Sequence, residues 1–591
     1  MALGACDFPS ALVKRRTLAA ALGALVACFF AAAHRASPKH VPLDASGNDA
    51  LHIATKWDRR LGNGDGPAPK GRQAFVQRGD AVAFCGGERF CSVETALSAA
   101  PHAFSSATTI PALPLFLVVP GRDGFRLRLR GKEAWVTHGE LLAMQAYDRG
   151  KTPFSALGPG AEAGIDEALV LARLSSALGE SAATIRDEAD VQRVRFETPP
   201  HPRFPATGGF SDLLAAFARN PPKREALRPE ARMVREAVAR AAGYLERHLH
   251  IDGRFDYLVQ GTTALPKPGY LWARHAGTVF FLAQAAGVTK NIGTTFAAQN
   301  ALRGMALSAV RDCGPRKCIA AEEENVVGVG ATALAVIALA EFELRKLPGA
   351  DPELRKQLLK FLLAQRLPDG TVAHQYDRDA RAVIPSKLPY YDGEVALALA
   401  RSFSIDGDPA LRDAARTLLE NTVHDAPKGY AGYLYPGEEH WTCQALDALW
   451  NASPSEAAFA RCVAWHRIQG AQQFIQGDSV FVEPDGAFGP TSIALPRVTP
   501  AASRSEAAGA TLAVALRRDT PAETRNFLRD QLDAAVLFLL REQLPGRHGA
   551  YLADPDAVDG GFPASPVDLR VQIDYVQHAG SCLVRWLEVT P

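Results

Sequence analysis

Six short clusters of polar and aromatic residues each precede a run of alanines and leucines in the second half of the chain. The clusters combine carboxylates, imidazoles, guanidinium groups and aromatic rings, and they lie at 270–278, 322–325, 390–394, 438–441, 503–506 and 574–578. Paired carboxylates and imidazoles transfer protons, an arginine binds an acidic group, and aromatic faces stack on sugar rings. These residue types therefore predict proton transfer on a sugar.

The clusters divide into predicted proton-transfer groups and predicted binding groups. Asp392 and Glu394 rank first because Tyr390 and Tyr391 beside them offer a stacking surface. The predicted catalytic residues are Asp392, Glu394, His275, Asp574 and His578. The predicted substrate-binding residues are Arg274, Trp272, Tyr391, Glu439, His440, Trp441, Arg504, Glu506 and Gln577.

Each of these residues also has a structural interpretation. An acidic residue at a helix start stabilises the helix, so Glu323, Glu439 and Glu506 are as well explained as caps. A histidine one turn into an apolar helix, such as His275 or His578, is often a hydrogen-bonded core residue. Both interpretations stay open at the level of the sequence.

A zinc site is a further alternative. His440 and Cys443 are three residues apart and His578 and Cys582 are four apart, so each pair shares one helical face. The two helices would not be neighbours in a ring of six. We therefore expect no metal and no other cofactor.

The alanine and leucine runs, such as 395–400, are apolar on every side, as is typical of a helix packed on both faces. Amphipathic helices alternate with them. Their predicted starts lie near Ala231 and Ile292 and at Asp351-Pro352, Asp408-Pro409, Ser453-Pro454 and Thr520-Pro521. A capping side chain followed by proline marks a helix start. The alternation predicts six outer helices around six inner ones, paired as hairpins, with no strand within 326–342.

This arrangement resembles the α/α toroid shared by six-hairpin glycosidases, several sugar epimerases and polysaccharide lyases, and found in modified form in terpenoid cyclases. The resemblance covers about residues 231–591 and depends on architecture, because no diagnostic catalytic motif is present. It implies a mainly α fold and a glycan substrate.

Loop lengths give the predicted ring two different ends. Inner helices lead to outer ones through short turns such as 347–350 and 404–407, whereas the return loops 367–388, 476–502 and 544–572 are long. Long ordered loops in a compact domain usually serve function. All six clusters lie at the long-loop end, so we expect them to converge on one mouth of the ring, where the inner-helix N-termini favour anionic groups.

Three segments precede the toroid domain at 211–591. Residues 1–36 are predicted to be a signal peptide or membrane anchor, 37–72 a flexible linker, and 73–210 a small α/β domain of unknown role. Strands are expected at 115–119, 125–130 and 191–196 and helices at 138–147 and 161–178. The arginines of 125–130 are best explained as a solvated face of the sheet.

The N-terminus predicts export. Lys14, Arg15 and Arg16 precede an apolar run at 18–33, the order of a bacterial export signal. The run could be cleaved near Ala33, retained as an anchor, or lipidated at Cys28, which is more simply an apolar filler. We expect the remainder to be periplasmic or otherwise extracytoplasmic, with membrane contact through this segment only.

In an oxidising compartment two close cysteine pairs are predicted disulfides. They are Cys85 with Cys91 and Cys313 with Cys318. The formal net charge of +1 offers no basic face for nucleic acid, which we exclude as a partner.

The combined prediction is an exported carbohydrate-active enzyme, a hydrolase, lyase or epimerase, that acts on a glycan at the mouth. The alternative is a toroid that binds a glycan or peptide, or scaffolds partners, without catalysis. A terpenoid-cyclase-like enzyme is a remote alternative, since Asp-Gly turns occur at 369–370, 485–486 and 559–560 but no Asp-rich motif accompanies them.

Overall fold

The structure is a computed structural model. It describes the helical part at residues 228–386, 390–429, 440–474, 485–488, 497–546, 548, 552 and 554–590. Before this part it describes residues 71–78, 81–85, 97–104, 106–109, 123–136, 141, 146–148, 164–165 and 167–197. The predicted export segment, the strand at 115–119, the pair Cys85 and Cys91, and residues 37–70 of the predicted linker lie outside these ranges or have undescribed side chains.

The described residues before residue 228 form short strands and two helices. Its strands are β1 (Gly71–Arg78), β2 (Ala81–Cys85), β3 (Leu97–Phe104), β4 (Ser106–Thr109), β5 (Asp123–Leu129), β6 (Lys132–Val136), β7 (Tyr147–Asp148), β8 (Gly164–Ile165) and β9 (Asp190–Glu197). They form antiparallel sheets in the orders β2-β1-β3, β4-β9-β5-β6 and β7-β8. The helices are α1 (Glu167–Leu178) and α2 (Ala182–Glu188).

Several predictions for this region need correction. The expected helix at 161–178 begins only at Glu167, after strand β8, and the end of the expected helix at 138–147 is strand β7. The last two residues of the expected linker belong to β1. In β5 the apolar residues are buried as predicted, yet Arg126 is buried too, because Glu133 on β6 pairs with it at 2.7 Å.

Twelve main helices follow, alternating between an outer and an inner ring. The outer helices are α3 (Ala231–Arg247), α5 (Ile292–Ala309), α7 (Pro352–Ala364), α9 (Pro409–Gly429), α11 (Glu456–Gln472) and α13 (Ala522–Glu542). The inner helices are α4 (Trp272–Thr289), α6 (Val329–Leu344), α8 (Tyr391–Asp406), α10 (Trp441–Leu449), α12 (Val498–Arg517) and α14 (Ile573–Val589). Inner helices are buried on nearly every side, which explains their all-apolar sequence.

The inner helices form a closed ring. Each packs on the next in chain order, and α14 packs back against α4, so the ring closes without an open edge. The six-hairpin α/α toroid predicted from the alternating helices is therefore confirmed.

Small antiparallel sheets lie at the long-loop end of the ring. Strands β10 (Leu258–Gln260), β11 (Leu265–Lys267), β17 (Pro563–Ser565) and β18 (Asp568–Gln572) form one sheet, and β14 (Val326–Gly328), β15 (Gln375–Asp377) and β16 (Ala382–Ile384) form another. A third is the hairpin of β12 (Val310–Cys313) and β13 (Arg316–Ile319), which Cys313–Cys318 closes as predicted. The expectation of no strand within 326–342 is wrong for β14, which pairs with β15 before α6 begins.

Helix starts follow local chemistry at some outer helices. Asp351 accepts a hydrogen bond from the Leu354 amide with Pro352 in the first turn, as predicted. For α11 the predicted cap is wrong by two residues, since Ser455 rather than Ser453 accepts from the chain. For α13 the helix begins after Pro521, without a side-chain cap from Thr520.

None of the helices in the described ranges is long and apolar enough to cross a membrane.

Candidate functional site

Three ionisable side chains from three inner helices meet at the mouth. His578 Nδ1 on α14 lies 2.8 Å from Glu506 Oε1 on α12, and His440 Nε2 at the start of α10 lies 3.9 Å from Glu506 Oε2. The two imidazole rings are 5.0 Å apart between centroids, although α10 and α14 are not neighbours in the ring. We call His440, Glu506 and His578 the mouth cluster.

The three side chains of the mouth cluster differ in their exposure to solvent. The side chains of Glu506 and His440 are 2% and 3% exposed, whereas that of His578 is 13% exposed. Since Nδ1 of His578 is bonded to Glu506, Nε2 is the nitrogen that remains for another group. His578 is therefore the member best placed to contact a substrate, with Glu506 behind it.

Glutamine and tryptophan side chains hold the mouth cluster in place. Gln444 Nε2 donates to Glu506 Oε2 at 3.2 Å, and Gln577 Nε2 lies 3.3 Å from His578 Nδ1. The Trp441 ring lies 4.1 Å from the His440 ring and is itself buried. Trp441 packs behind the cluster and offers no exposed face for stacking.

Burial shifts the protonation of the cluster toward neutral forms. Burial raises the pKa of Glu506 to about 7, against the opposing effects of His440 and Gln444. Burial lowers the pKa of His578 to about 4, against the charge of Asp574. A neutral imidazole is thus hydrogen-bonded to a carboxyl group that titrates near neutrality, which is the arrangement that proton transfer requires.

Asp574 and Arg274 extend the site along the mouth. Arg274 Nε on α4 lies 3.2 Å from Asp574 Oδ2, and Arg274 Nη1 donates to the Tyr257 hydroxyl at 2.5 Å. Burial raises the pKa of Asp574, although Arg274 and His578 oppose the shift. The Arg274 side chain is 39% exposed, so its free face can contact an acidic or hydroxyl group.

The predicted catalytic pair Asp392 and Glu394 lies away from the mouth cluster. Both residues are on α8, which is opposite α14 in the ring order. Asp392 Oδ1 lies 3.0 Å from Nε2 of His374, a buried residue just before β15. Glu394 faces α6, where its Oε2 lies 2.5 Å from the position that a Cβ on Gly330 would take. Burial, followed by the charges of Glu394 and Glu324, raises the pKa of Tyr391 to about 12.

Two predicted residues contribute to packing. His275 is fully buried, with Nδ1 2.6 Å from the Tyr270 hydroxyl and Nε2 3.0 Å from the Ala301 carbonyl of outer helix α5. Both ring nitrogens are thus used, and Trp272 packs on the same ring at 5.0 Å. We therefore leave His275 out of the proposed site.

Two of the predicted residues, Arg504 and Glu506, lie inside helix α12. Arg504 is buried, with its guanidinium 5.1 Å from the centre of the Phe488 ring. The cluster at 503–506 was predicted to open a helix, but α12 begins at Val498, so Arg504 and Glu506 lie inside the helix. Glu506 consequently cannot be a helix cap. Glu439 lies outside the described residues.

His374, Gln444 and the Cys443–Cys462 disulfide were not predicted. The disulfide joins α10 to α11, with the two Cα atoms 6.0 Å apart. Cys443 is therefore excluded from the zinc set that the sequence left open. Only the pairing of cysteines within a few residues is visible in a sequence, and these two are 19 residues apart.

The mouth cluster is also the candidate metal site within the described ranges, since its possible ligand atoms lie within 4.8 Å of one another. Tetrahedral zinc, with bonds of about 2.0 to 2.1 Å, places neighbouring ligand atoms about 3.3 Å apart. The 3.9 Å between His440 and Glu506 exceeds this, and the Glu506–His578 hydrogen bond already uses two of the ligand atoms.

Comparisons with known proteins find structural likeness only. No protein-family model and no curated protein matches the chain. A solved D-mannose isomerase is 13% identical with a TM-score of 0.46, and the alignment covers 60% of this chain and 97% of that one. The cellobiose 2-epimerase from Spirochaeta thermophila is 15% identical with a TM-score of 0.44 over 62% and 98%.

A third similar structure is an inactive variant of an α-1,6-mannanase of a Salegentibacter species in complex with α-1,6-mannotetrose. It is 14% identical with a TM-score of 0.43, and the alignment covers 60% of this chain and 99% of that one.

Proposed function

We propose that the chain is an exported carbohydrate-active enzyme whose mouth cluster transfers protons on a bound glycan. The observation that carries the proposal is the 2.8 Å contact between His578 and the buried Glu506. Within the described ranges Glu506 forms no direct ion pair with a lysine or arginine, although the charge of Arg585 opposes the rise of its pKa. A buried carboxyl group without a direct cationic partner is costly for stability alone, and perturbed groups of this kind concentrate at functional sites.

The proposed proton transfer runs between the substrate and His578, with Glu506 as the partner of the imidazole. Neutral His578 accepts a proton at Nε2 while its Nδ1 donates to the Glu506 carboxylate, as a carboxylate orients and stabilises an imidazole in hydrolase triads. Return of the proton reverses the path. Glu506 then acts through His578 and is a positioning residue, whereas His578 contacts the substrate.

The neighbouring residues fit a sugar. Arg274 presents an exposed guanidinium beside Asp574, and this pair can bind a hydroxyl or carboxylate of the glycan. Tyr391 and Tyr270 are partly exposed and are the aromatic faces available for stacking in place of the buried Trp441 and Trp272.

The chemistry favours removal or exchange of a proton at a sugar carbon, as in a lyase or epimerase. Hydrolysis generally uses two carboxyl groups that flank the bond, about 5 to 10 Å apart. In the mouth cluster one carboxyl group is combined with two imidazoles. For hydrolysis Asp574, beside His578, or the α8 pair Asp392 and Glu394 would have to supply the second carboxylate.

Two disulfides support the export component. Cys313–Cys318 and Cys443–Cys462 are both within bonding distance, and disulfides persist in oxidising compartments. An alkaline phosphatase fusion after Arg72 should be active; a stable but inactive fusion would contradict export.

The test of function is a screen of the full chain against uronate-containing and neutral polysaccharides in deuterated water, read by NMR. A lyase or epimerase incorporates solvent deuterium or forms an unsaturated product, whereas a hydrolase releases reducing ends without carbon-bound deuterium. We expect Glu506→Gln and His578→Asn to reduce turnover by about a hundredfold or more with the fold intact. Glycan binding without conversion by the wild type would instead establish the non-catalytic alternative.

A further inference from the structure

We propose that a polar pocket on the rim of the mouth is a subsite for a distal sugar unit that carries hydroxyl or ammonium groups rather than carboxylates. This inference rests on the proposed function, because it assigns a second contact to the same glycan. The pocket lies between the β12–β13 turn, the segment before β14 and the β15–β16 turn. Its volume is about 350 Å³, within the range of small-molecule sites.

The pocket walls are fixed without a ligand. Arg378 Nη1 donates to the Glu322 and Glu324 carbonyls at 3.2 and 2.7 Å, and the Asp379 amide donates to Asn325 Oδ1 at 3.2 Å. The Cys313–Cys318 disulfide closes the third wall. A preformed site binds with a smaller loss of conformational entropy than a loop that must order.

The hairpin tip also contacts the sheet beneath it. Gly314 has φ +64°, and a Cβ at this position would lie 2.7 Å from the Tyr376 hydroxyl on β15. A larger residue would therefore be strained and would push the tip off β15. The pocket shape depends on this close approach.

The charge of the pocket selects the class of ligand. Four lining carboxylates and two guanidinium groups give a net charge of −2, which Lys317, paired with Asp312 at 2.6 Å, reduces to −1. The charged lining residues are Asp312, Glu322, Glu323, Asp379, Arg378 and Arg381. Carboxylates accept hydrogen bonds from hydroxyl and ammonium groups and repel other carboxylates. The pocket therefore disfavours a uronate. Since the lining residues include no aromatic ring, the sugar would be bound by its polar edge.

Strand β15 connects the pocket to the mouth. His374, which pairs with Asp392 at 3.0 Å, directly precedes β15, and Arg378 directly follows it. Four residues of extended chain span about 13 Å. An oligosaccharide of a few units can therefore contact the pocket and Asp392 together.

Calorimetric titration of the full chain with three tetrasaccharides tests this proposal: fully deacetylated chitotetraose, cellotetraose and oligogalacturonate. We expect chitotetraose to bind most tightly and oligogalacturonate most weakly. The double variant Glu322→Gln/Glu323→Gln removes two exposed charges and leaves the carbonyl of Glu322 that Arg378 uses. It should weaken chitotetraose binding at least tenfold, while the control Glu353→Gln on α7 should not change it.

Equal binding by the wild type and the double variant, or preference for oligogalacturonate, would overturn the rim subsite. The result is separable from the proposed function, because Glu506→Gln should abolish turnover without altering chitotetraose affinity at the pocket. If the wild type converts no glycan in the screen but binds chitotetraose at the pocket, the proposed enzyme is refuted and the subsite stands.

Discussion

Two buried glutamates at opposite ends of the ring show how differently the toroid treats a carboxyl group. Glu341, near the C-terminal end of α6, pairs with Arg345 on its own helix and with Arg401 on α8. Burial alone would raise its pKa, but the two arginines hold it below the usual value. Glu506 at the mouth is equally buried, has histidines as partners, and has its pKa raised to about 7.

The end around Glu341 is a network of opposite charges. Arg585 on α14 bonds Asp447 on α10 at 2.8 Å, Arg517 on α12 also pairs with Asp447, and Arg345 bonds Glu588 on α14 at 2.9 Å. These pairs join helices across the ring and fix the C-terminal ends of the inner helices. The charged residues at this end therefore form ion pairs that hold the inner helices together.

Among the described residues no arginine or lysine forms an ion pair with Glu506, although the charge of Arg585 acts on it. The inner helices also have no side-chain cap hydrogen bonds in the part of the chain that the structure describes. Some outer helices, which begin at the other end, do have such caps, at Asn291, Asp351 and Ser455. Side-chain capping therefore does not explain the polar residues at the starts of the inner helices.

The largest expected difference between the two ends is in stability. Glu341→Gln should reduce the free energy of unfolding by about 3 to 5 kcal/mol at pH 7, because Arg345 and Arg401 lose the charge that compensates them. Denaturant unfolding measures this, with the exposed Glu353→Gln expected within about 0.5 kcal/mol of wild type. A loss below about 1 kcal/mol would mean that the network does not stabilise the closed end.

The next expected effect is the pH dependence of stability at the mouth. Glu506 binds its proton more tightly in the folded chain, so its contribution is complete below the unfolded pKa of about 4.5 and is lost as the pH rises through about 7. The loss amounts to about 3 kcal/mol. His578, with a folded pKa of about 4, contributes in the opposite sense: its stabilisation is present above 6.5 and is lost as the pH falls through about 4.

The two opposing effects are separated by comparing wild type with Glu506→Gln at each pH. The variant should be less stable than, or equal to, wild type at pH 4.5 and should gain relative to it by pH 8. A difference in unfolding free energy that stays constant across this range would show that Glu506 has an ordinary pKa.

The smallest expected effect concerns helix starts. Asp351→Ala should cost about 1 kcal/mol, because it removes the acceptor for the Leu354 amide. Glu323→Ala at the mouth should change the unfolding free energy by less than about 0.5 kcal/mol, since no side-chain cap is present at α6. Equal losses in thermal unfolding would contradict the distinction between the two ends.

The fold was predictable because its signals are local and repeated. The start at Asp351-Pro352 and the alternation of amphipathic and apolar helices are properties of short segments, and the structure confirms both. The start of α12 was misplaced because residues 498–502 continue the helix without a capping signal. The strand β14 was missed because only its partner β15 makes it a strand.

The site was only partly predictable because it depends on which groups meet across the ring. His578 and Glu506 were both named, but their 2.8 Å contact joins residues 72 positions apart. His275, like His578, lies near the start of an inner helix, yet the Tyr270 hydroxyl and the Ala301 carbonyl use both of its nitrogens. His374 lies in a loop without any periodicity, so the sequence offered no signal for its contact with Asp392.

The central claim is that burial raises the pKa of Glu506 to about 7. A ¹³C NMR titration of the full chain labelled at glutamate carboxyl carbons measures this directly, with Glu506→Gln identifying the resonance. The account predicts a midpoint near pH 7 for Glu506. A midpoint at or below about 4.5, the usual value for glutamate, would contradict it.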